Sequence, residues 1–430
     1  MSRIVFARLL CLIALVAVSF SGASANAQEK KGPAFTEPPK NDWNYALMGE
    51  FVGPIQVGEN KYEPLGLQLR PTGGNTFQAI SYSGGLPGQE KHRPKMTRMI
   101  GQRTGEFMIL SGGPWAIIVE KDHCKIIDRQ GKNLGRLKRI ERSSPTLGAE
   151  PPRGAFVMFD GSSVDQFSNA QMTKDGLLME GADFKPMFQD FNLHVEFRLP
   201  YMPEAEGQSR GNSGLYLQSR YECQVLDSFG TETMINGAGA LYRFKKPDLN
   251  MCLPPLVWQT YDVQFTAPRW AADGSKVRNA HITSWINGVK VQDNVSLPGK
   301  TGAGKKEEPV LLPIKLQNHG DPVRFRNIWV IDRGVTQVDK FPVLAPTKAE
   351  LAKRKKAAEE KAAKEAAAKA KTEKATKEKA AKEKAAKEKA AKEAKMKQEA
   401  KDKAAAEKGK DSKKKRRESQ KKQAKTANAK

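Results

Sequence analysis

Polar side chains capable of chemistry occur at every second position of three short stretches, GNSGLYLQS, YECQVLDS and LLPIKLQNHG. Side chains two residues apart in a strand point to the same face of a sheet, so each stretch would offer one apolar face and one polar face. The polar faces carry Asn212, Tyr216, Gln218, Glu222, Gln224, Lys315, Gln317 and His319. If the three strands are neighbours, these residues form one surface of acceptors, amides and an aromatic ring.

A surface of this kind suits a sugar, because sugar hydroxyl groups need hydrogen-bond partners and the C–H face of the ring needs a flat apolar contact. The solvated outer face of an ordinary antiparallel sheet would show the same alternation. From the residues alone the ordinary face is slightly favoured, since adjacency of the strands is an assumption. Asp227 has the opposite parity to Glu222 and Gln224 and is expected to be structural.

Strands are the elements that must position these residues. In FNLHVEFRL the odd-numbered residues from Phe191 to Leu199 are apolar and the residues between them are polar, a strict period of two. TYDVQF repeats this pattern, and Asn287-Gly288 within TSWINGVKVQD is a hairpin turn. Many such strands at short spacing predict that residues 155–335 form a mainly β, antiparallel two-sheet sandwich with little helix.

A smaller β-rich unit is predicted ahead of the sandwich, over residues 42–145. Short apolar runs such as EFMILSGG alternate with Gly-rich turns, as in a series of hairpins. The Pro- and Gly-rich stretch SSPTLGAEPPRG then forms a linker. No residue of this smaller unit suggests chemistry, so we interpret it as an accessory domain.

Residues 1–27 have the pattern of an export signal. Arg3 and Arg8 precede an apolar run of about a dozen residues, and small residues follow up to Ala27. A retained membrane anchor is the alternative, but the run is well short of the ~20 residues that a spanning helix needs, and no later stretch could cross a bilayer. We therefore expect an exported protein, periplasmic or extracellular, in an oxidising compartment.

The exported chain would keep three cysteines, Cys124, Cys223 and Cys252, and an odd number cannot pair completely. Cys223 with Cys252 is the favoured disulfide, because both lie in one predicted domain. Three small buried thiols are about equally compatible with the sequence.

The formal net charge of +25 is concentrated at the carboxyl end of the chain. Residues 347–430 contain 32 Lys and Arg against 14 Asp and Glu, which leaves only a small positive excess elsewhere. A specific nucleic-acid binder would rest on this tail alone and is disfavoured by the export signal.

The tail contains the five-residue repeat KEKAAKEKAAKEKAAKEA, in which Glu precedes Lys by four residues. These strong helix formers predict a solvated single helix from about 348 to 408, because a five-residue period rotates around the axis and gives no coiled-coil stripe. The basic end, KKKRRESQKKQAK, is expected to be disordered. The tail is interpreted as an inert solubilising segment or as a tether to a polyanion such as cell-wall polymer.

Five blocks of the sequence resemble, in order, the bacterial 3-keto-disaccharide hydrolase family, formerly a domain of unknown function. These blocks are FDGSSVDQF, NSGLYLQSRYECQVLDSFG, GALYRFKKPDLNMCLPPLVWQTYDVQF, WINGVKVQD and PIKLQNHGDPVRFRNIWV. The resemblance covers about residues 155–332 and implies a concanavalin A-like jelly roll. It also implies cleavage of glycosides already oxidised at C3, by hydrolysis or by β-elimination followed by hydration.

Within the resembling blocks, Glu222 and His319 are our candidates for the catalytic base, or for ligands of a divalent cation such as calcium or manganese. Asn212, Gln224 and Lys315 would orient the sugar or its enolate. Tyr216 and Arg210 complete the predicted substrate-binding set, and no organic cofactor is expected. The alternative function is a non-catalytic, lectin-like module held at the cell surface by the basic tail.

Overall fold

A computed structural model describes residues 31–89, 95–334, 336–337, 352–353, 355–357, 359–364 and 366. The predicted export signal lies outside these residues, so export stays a prediction. The described tail residues are helical and exposed, whereas the repeat and the basic end lie outside the described part. Within the described residues, no helix is long and apolar enough to span a membrane.

The amino-terminal domain is a closed barrel of eight antiparallel strands that pair in chain order. A short helix α1 (Trp43–Leu47) precedes it, and the Asp42 side chain caps this helix by accepting the backbone N–H groups of Asn44 and Tyr45. The strands are β1 (Gly49–Gly58), β2 (Lys61–Pro71), β3 (Thr76–Ser83), β4 (Lys95–Thr104), β5 (Phe107–Ser111), β6 (Ala116–Val119), β7 (His123–Ile127) and β8 (Asn133–Ile140). Pairing of β1 with β8 closes the barrel around its own apolar core.

The second half is a sandwich of two antiparallel sheets. Its strands are β9 (Phe156–Phe159), β10 (Phe167–Ser168), β11 (Leu178–Met179), β12 (Asp183–Phe184), β13 (Met187–Phe188), β14 (Phe191–Arg198), β15 (Ser213–Leu217), β16 (Tyr221–Val225), β17 (Trp258–Thr266), β18 (Arg269–Trp270), β19 (Lys276–Arg278), β20 (Ala280–Ile286), β21 (Val289–Leu297), β22 (Lys315–Leu316), β23 (Arg324–Asp332) and β24 (Thr336–Gln337). A single 3-10 turn, Gly207–Ser209, precedes β15. The mainly β, antiparallel prediction is confirmed.

We name the two sheets of the sandwich by their strand order. The front sheet is β10-β12-β22-β15-β16, and the back sheet is β11-β23-β14-β17-β20-β21 with β9 beside β23. The two short pairs β13-β24 and β18-β19 stand apart from them. Each sheet therefore has an inner face towards the core and an outer face away from it.

The core between the sheets follows the predicted period of two. Leu193, Val195 and Phe197 of β14 are buried in it, and Leu215 and Leu217 of β15 meet them from the front sheet. Burial of one face in each strand fixes the register, because a slip of one residue would turn the apolar side chains outward. The outer faces of both sheets consequently carry the polar residues.

The predicted hairpin turn joins β20 to β21. Asn287 and Gly288 have φ values of 51° and 76°, the left-handed conformations that such a turn requires. The Asn287 side chain also donates to the Met251 carbonyl oxygen, 2.8 Å away. This interaction ties the turn to a loop of the same domain.

The predicted Cys223–Cys252 disulfide is wrong. All three cysteines of the described residues are free and buried. The Cys252 thiol donates to backbone carbonyl groups, with Leu226 oxygen 3.5 Å away, while Cys223 packs in the apolar core. Burial raises the pKa of both Cys223 and Cys252 to about 12, so both groups are inert thiols.

The barrel and the sandwich belong to one compact unit that ends at Ala345, and the tail forms a second unit. Buried polar contacts join barrel to sandwich: the Arg210 guanidinium donates to the Pro71 carbonyl oxygen at 2.9 Å. The linker is also fixed, since the Thr146 hydroxyl donates to Asp262 at 2.9 Å. These contacts hold the barrel and the linker against the sandwich.

Candidate functional site

The three stretches that carry the candidate residues are neighbouring strands of the front sheet, in the order β16-β15-β22. In the antiparallel register, Tyr216 lies between Glu222 on one side and Lys315 on the other. In the next row Gly214 lies opposite Gln224, and its carbonyl oxygen accepts the backbone N–H of Gln317. The assumption of adjacency therefore holds, and the polar face is continuous.

Glu222 is the central acidic group of this face and is almost fully buried, with 3% of its surface exposed. Burial raises the pKa of the Glu222 carboxyl group, and a hydrogen bond with Tyr216 only partly opposes that rise. Burial and the same hydrogen bond raise the pKa of the Tyr216 phenol. Glu222 and Tyr216 thus form a hydrogen-bonded acid–base pair in which the carboxylate is more basic than an ordinary glutamate.

A glycine-rich loop, residues 299–305, lies directly against Glu222. The Thr301 hydroxyl accepts the Glu222 backbone N–H at 2.7 Å, and the Thr301 N–H donates to the Arg220 carbonyl oxygen at 3.0 Å. A side chain at Gly302 would place its Cβ 2.1 Å from Glu222 Oε2, so only glycine fits the present packing there. The loop excludes water from one side of the carboxyl group.

The outer face borders a cleft of about 390 Å³, which we call the front cleft. Its polar lining residues are Asn169, Asp183, Tyr216, Ser219, Lys305, Lys315, Gln317 and Asn318. The Lys315 ammonium group lies 3.4 Å from the Asp183 carboxylate and is 41% exposed. Tyr216 therefore connects the cleft to the buried Glu222, and lysine supplies positive charge beside it.

The absence of a side chain at Gly214 leaves room between polar groups. A Cβ there would lie 3.0 Å from Glu222 Oε1 and 3.2 Å from Gln317 Oε1. The buried atoms Gln317 Oε1 and Gln224 Oε1 have no hydrogen-bond partner among the described residues. Buried acceptors normally have partners, so this region is suited to hydroxyl donors or to a cation.

Residues 154–331 match the model of the 3-keto-alpha-glucoside-1,2-lyase-like domain. This part of the chain belongs to that family. The matched residues contain the whole Glu222–Tyr216 pair, the front cleft and both sheets of the lyase-like domain, whereas the barrel and the tail lie outside the match. A glycoside is therefore the class of molecule that the domain processes.

Two solved structures, both of candidate glycosyl hydrolases from Parabacteroides distasonis, are similar to the chain. The first is 33% identical, covers 42% of this chain and 84% of that chain, and has a TM-score of 0.39. The second is 19% identical, covers 42% and 94% respectively, and has a TM-score of 0.31. No curated protein matches the chain.

Asn212 and Gln224 lie next to the pair in the lyase-like domain, but they are not exposed to the cleft. Asn212 Oδ1 accepts from Gln224 Nε2 at 3.0 Å, and both residues are buried. The Asn212 backbone N–H donates to the fully buried Asp321 carboxylate at 2.7 Å. These contacts fix the positions of Asn212 and Gln224 at the end of the polar face.

Arg210 lies outside the front cleft and is fully buried. Its guanidinium donates to Asp227 Oδ2 at 2.6 Å, and Asp227 also accepts the Phe229 N–H as a turn cap. His319 is exposed and lies one residue beyond Asn318 of the cleft lining, with its carbonyl oxygen accepting from Lys31. The structure thus gathers five of the seven predicted residues on or beside the polar face, and these two lie outside it.

A divalent cation was predicted with Glu222 and His319 as ligands. Among the described residues, no group of three or more His, Cys, Asp or Glu side chains could hold a metal ion. Glu222 and Gln317 oxygens flank Gly214, and Gln224 lies opposite it in the register; this is the donor set that fits a hard, oxygen-liganded cation such as calcium. The imidazole of His319 is not part of that set.

Several lining residues were missed by the sequence reasoning. The stretch GKTGAGK carried a usable signal, because three glycines within seven residues predict a loop that approaches another backbone closely. Asp183 and Asn169 carried no such signal, since only strand pairing between β12 and β22 brings Asp183 next to Lys315.

Proposed function

We propose that the lyase-like domain cleaves the glycosidic bond of 3-keto-glycosides, beginning with removal of the proton at C2. The observation that carries this proposal is the Tyr216 phenol on the cleft wall, hydrogen-bonded to a buried carboxyl group of raised pKa and flanked by Lys315. A ketone at C3 acidifies the C2 proton, so a single base of this kind is sufficient. The two flanking carboxylates of ordinary glycosidases are not required.

In the first step, the Tyr216 oxygen takes the C2 proton while the phenol passes its own proton to the Glu222 carboxylate. The electron pair of the C2–H bond forms a C2=C3 double bond, and the negative charge moves to the C3 oxygen. When the ketone re-forms, that pair makes a C1=C2 double bond and expels the C1 substituent. The proton held by Glu222 returns through Tyr216 to the departing oxygen, which completes the elimination.

The transient negative charge on the C3 oxygen needs a cationic or hydrogen-bonding partner. Lys315 and Lys305 both line the front cleft, and Lys315 lies directly beside Tyr216 in the sheet register. An ammonium group placed where charge develops stabilises the transition state more than the ground state. We assign this role to Lys315, with Asp183 holding its side chain in place.

The remaining polar groups would orient the sugar. Gln317 and Asn318 line the cleft, and the unpartnered Gln317 Oε1 can accept a hydroxyl proton. Asn212 and Gln224 act behind them by fixing the end of the sheet. If a cation binds, Glu222, Gln317 and Gln224 would hold it, and its chemistry would be to polarise sugar oxygens.

The test is turnover of 3-keto-trehalose, 3-keto-sucrose and a 3-keto-glucoside by the purified protein, with and without chelator. We expect release of the C1 substituent from at least one of them and none from the unoxidised sugars. In D₂O, elimination followed by hydration places deuterium at C2 of the product, whereas direct hydrolysis does not. Failure to cleave any keto-sugar would overturn the proposal.

A lectin-like module is the second candidate, since the polar face alone would also bind sugars. Calorimetry with unoxidised and 3-keto sugars distinguishes the two functions. Binding to the front cleft without cleavage of the keto forms would favour the lectin.

The predicted catalytic role of His319 is tested by the effect of its substitution on turnover. The matched comparison is His319→Ala with His281→Ala, because His281 lies on β20 of the back sheet, away from the front cleft. A large loss of turnover in the first variant alone would place His319 in the catalytic set. Equal turnover in both variants would remove it.

A further inference from the structure

A second concave region, of about 250 Å³, lies on the outer face of the back sheet. The back sheet and the front sheet enclose the core between them, so this region is on the opposite side of the sandwich from the front cleft. Its lining includes Asn192, Asp262, Gln264, Trp285, Trp329 and Ile331. We call it the tryptophan groove.

The register of four strands gives the groove its shape. Trp329, His194, Asp262 and Trp285 follow one another across β23, β14, β17 and β20. The two indole side chains therefore stand three strand spacings apart, about 14 Å at roughly 4.8 Å per strand. Asn192 and Gln264 lie opposite each other in an adjacent row and form part of the floor between them. A span of this length suits two linked pyranose rings.

The aromatic wall is held in place before any ligand binds. The His194 ring stacks on Trp329, with ring centroids 4.9 Å apart and an interplanar angle of 14°. The Trp329 indole N–H also donates to the Ala149 carbonyl oxygen of the linker at 3.3 Å. Because the indole is already ordered, binding against it loses little side-chain entropy.

The floor of the groove contains a polar atom that needs a donor. Asn192 Oδ1 is buried and has no hydrogen-bond partner among the described residues. Gln264 and the Asp262 carboxylate lie beside it and present further amide and acceptor groups. A hydroxyl-rich ligand can donate to Asn192 Oδ1, whereas an apolar surface without donors would leave this oxygen unpaired.

We propose that the tryptophan groove binds an unoxidised, neutral oligosaccharide of at least two pyranose units. The Trp285 indole accepts the C–H face of a sugar ring, the His194–Trp329 stack forms the opposite wall, and the amides accept from and donate to the hydroxyl groups. The Asp262 carboxylate lies on the lining of the groove, so an acidic sugar would meet like charge there. This binding is independent of keto-glycoside cleavage and would hold a glycan at the back of the domain.

The experiment is calorimetric titration of the full chain with cellohexaose, maltohexaose, xylohexaose and, as the charged comparison, hexagalacturonate. We expect saturable binding of at least one neutral hexasaccharide and weaker binding of hexagalacturonate. Trp285→Ala should weaken binding at least tenfold, and Gln264→Ala severalfold. Trp258→Ala is the matched control, because Trp258 is on the same outer face but is covered by Arg326, 4.0 Å from its ring.

Three results would overturn the proposal. The first is no binding of any neutral hexasaccharide, and the second is equal binding by wild type, Trp285→Ala and Gln264→Ala. The third is loss of binding in Lys315→Ala with full binding in Trp285→Ala, which would place the glycan in the front cleft. If thermal melting shows that Trp285→Ala is unfolded, Gln264→Ala decides. Turnover of keto-sugars is measured separately, so the binding result can be interpreted even if no keto-sugar is cleaved.

Discussion

The outer faces of the two sheets each bury one glutamate, and the two carboxyl groups behave in opposite ways. Glu222 of the front sheet is 3% exposed and Glu196 of the back sheet is 1% exposed. The pKa of Glu222 is raised by burial, with only Tyr216 opposing. Burial also acts on Glu196, but the nearby His194 ring, 3.8 Å away, and hydrogen bonds from Asn327, Gly148 and Arg326 lower its pKa to about 2. Partners, and not burial, therefore decide the direction in which each glutamate pKa shifts.

The opposite pKa shifts distinguish a structural carboxyl group, Glu196, from a candidate catalytic one, Glu222. Glu196 accepts the Asn327 side chain at 2.9 Å and the Arg326 guanidinium at 2.7 Å, and its lone pairs are thereby used. Glu222 faces Gly214 and Gly302, which supply no side chains. A buried carboxylate with so few partners costs stability, and such costs are typical of functional sites.

The largest expected effect is that of Glu222→Gln. We expect turnover of a keto-sugar to fall about a thousandfold, within the usual range for removal of a general base. In the wild type, turnover should fall as the pH drops through the raised pKa of Glu222, because the base must be ionised. Initial rates of the wild type and of Glu222→Gln across a pH series measure the loss of turnover and its pH dependence. Unimpaired turnover in this variant would remove Glu222 from the mechanism.

The same substitution should increase stability at neutral and alkaline pH. The folded pKa of Glu222 lies above the unfolded value, so its favourable contribution is present at low pH and is lost as the pH rises through the folded pKa. A glutamine at position 222 does not ionise, so the variant should not lose this contribution to stability as the pH rises. Urea unfolding at pH 5 and pH 8 measures the difference, and a variant less stable than the wild type at pH 8 would contradict the pKa argument.

Tyr216→Phe should lower turnover about a hundredfold, because a phenyl ring can neither take the C2 proton nor pass a proton to Glu222. Substrate affinity should change little, which separates a proton-transfer role from a packing role. The kcat and KM values for one keto-sugar measure this division. A variant with normal kcat and weakened KM would assign Tyr216 to binding alone.

Gly302→Ala should lower turnover about tenfold, by displacing the loop or the carboxyl group. Its Cβ would meet Glu222 Oε2 at 2.1 Å, and its φ of 53° disfavours any other residue. Gly299→Ala is the matched control, because nothing lies within 4 Å of a Cβ at Gly299. Equal turnover by the two variants would show that the loop does not position Glu222.

Glu196→Gln should have the smallest effect on turnover, less than threefold, and should act on stability. The lowered pKa corresponds to about 3 kcal/mol of stabilisation from the ionised group at neutral pH. That contribution is present above the unfolded value of 4.5 and is lost as the pH falls towards about 2. Urea unfolding should therefore show a loss at pH 7 that narrows by pH 3; a constant loss would contradict the assignment.

Much of the fold could be predicted because its signals are local. The alternation in residues 191–199 depends only on neighbouring residues, and the Asn287-Gly288 turn depends on two. The same rule placed Glu222, Tyr216 and Lys315 on the polar faces of their own strands, and strand pairing joined those faces. The disulfide prediction was wrong because sharing a domain does not bring two cysteines together: Cys223 and Cys252 are both buried in the core of the sandwich, and each remains a free thiol.

The properties of the site depended on contacts that no local pattern contains. Thr301, which contacts the Glu222 backbone, is 79 residues away in the chain, and Gly148, which contacts Glu196, is 48 residues away. The front cleft also needs Asp183, which reaches Lys315 only through the pairing of β12 with β22.

The sequence by itself determined which side chains share a face of each strand, because side chains in a strand alternate with a period of two residues. Only the tertiary structure decided how many partners each buried carboxyl group has and how much water reaches it. Those quantities come from distant loops that close over the strands. Two glutamates with the same local pattern therefore have different chemistry, one fixed by its partners and one left basic beside a cleft.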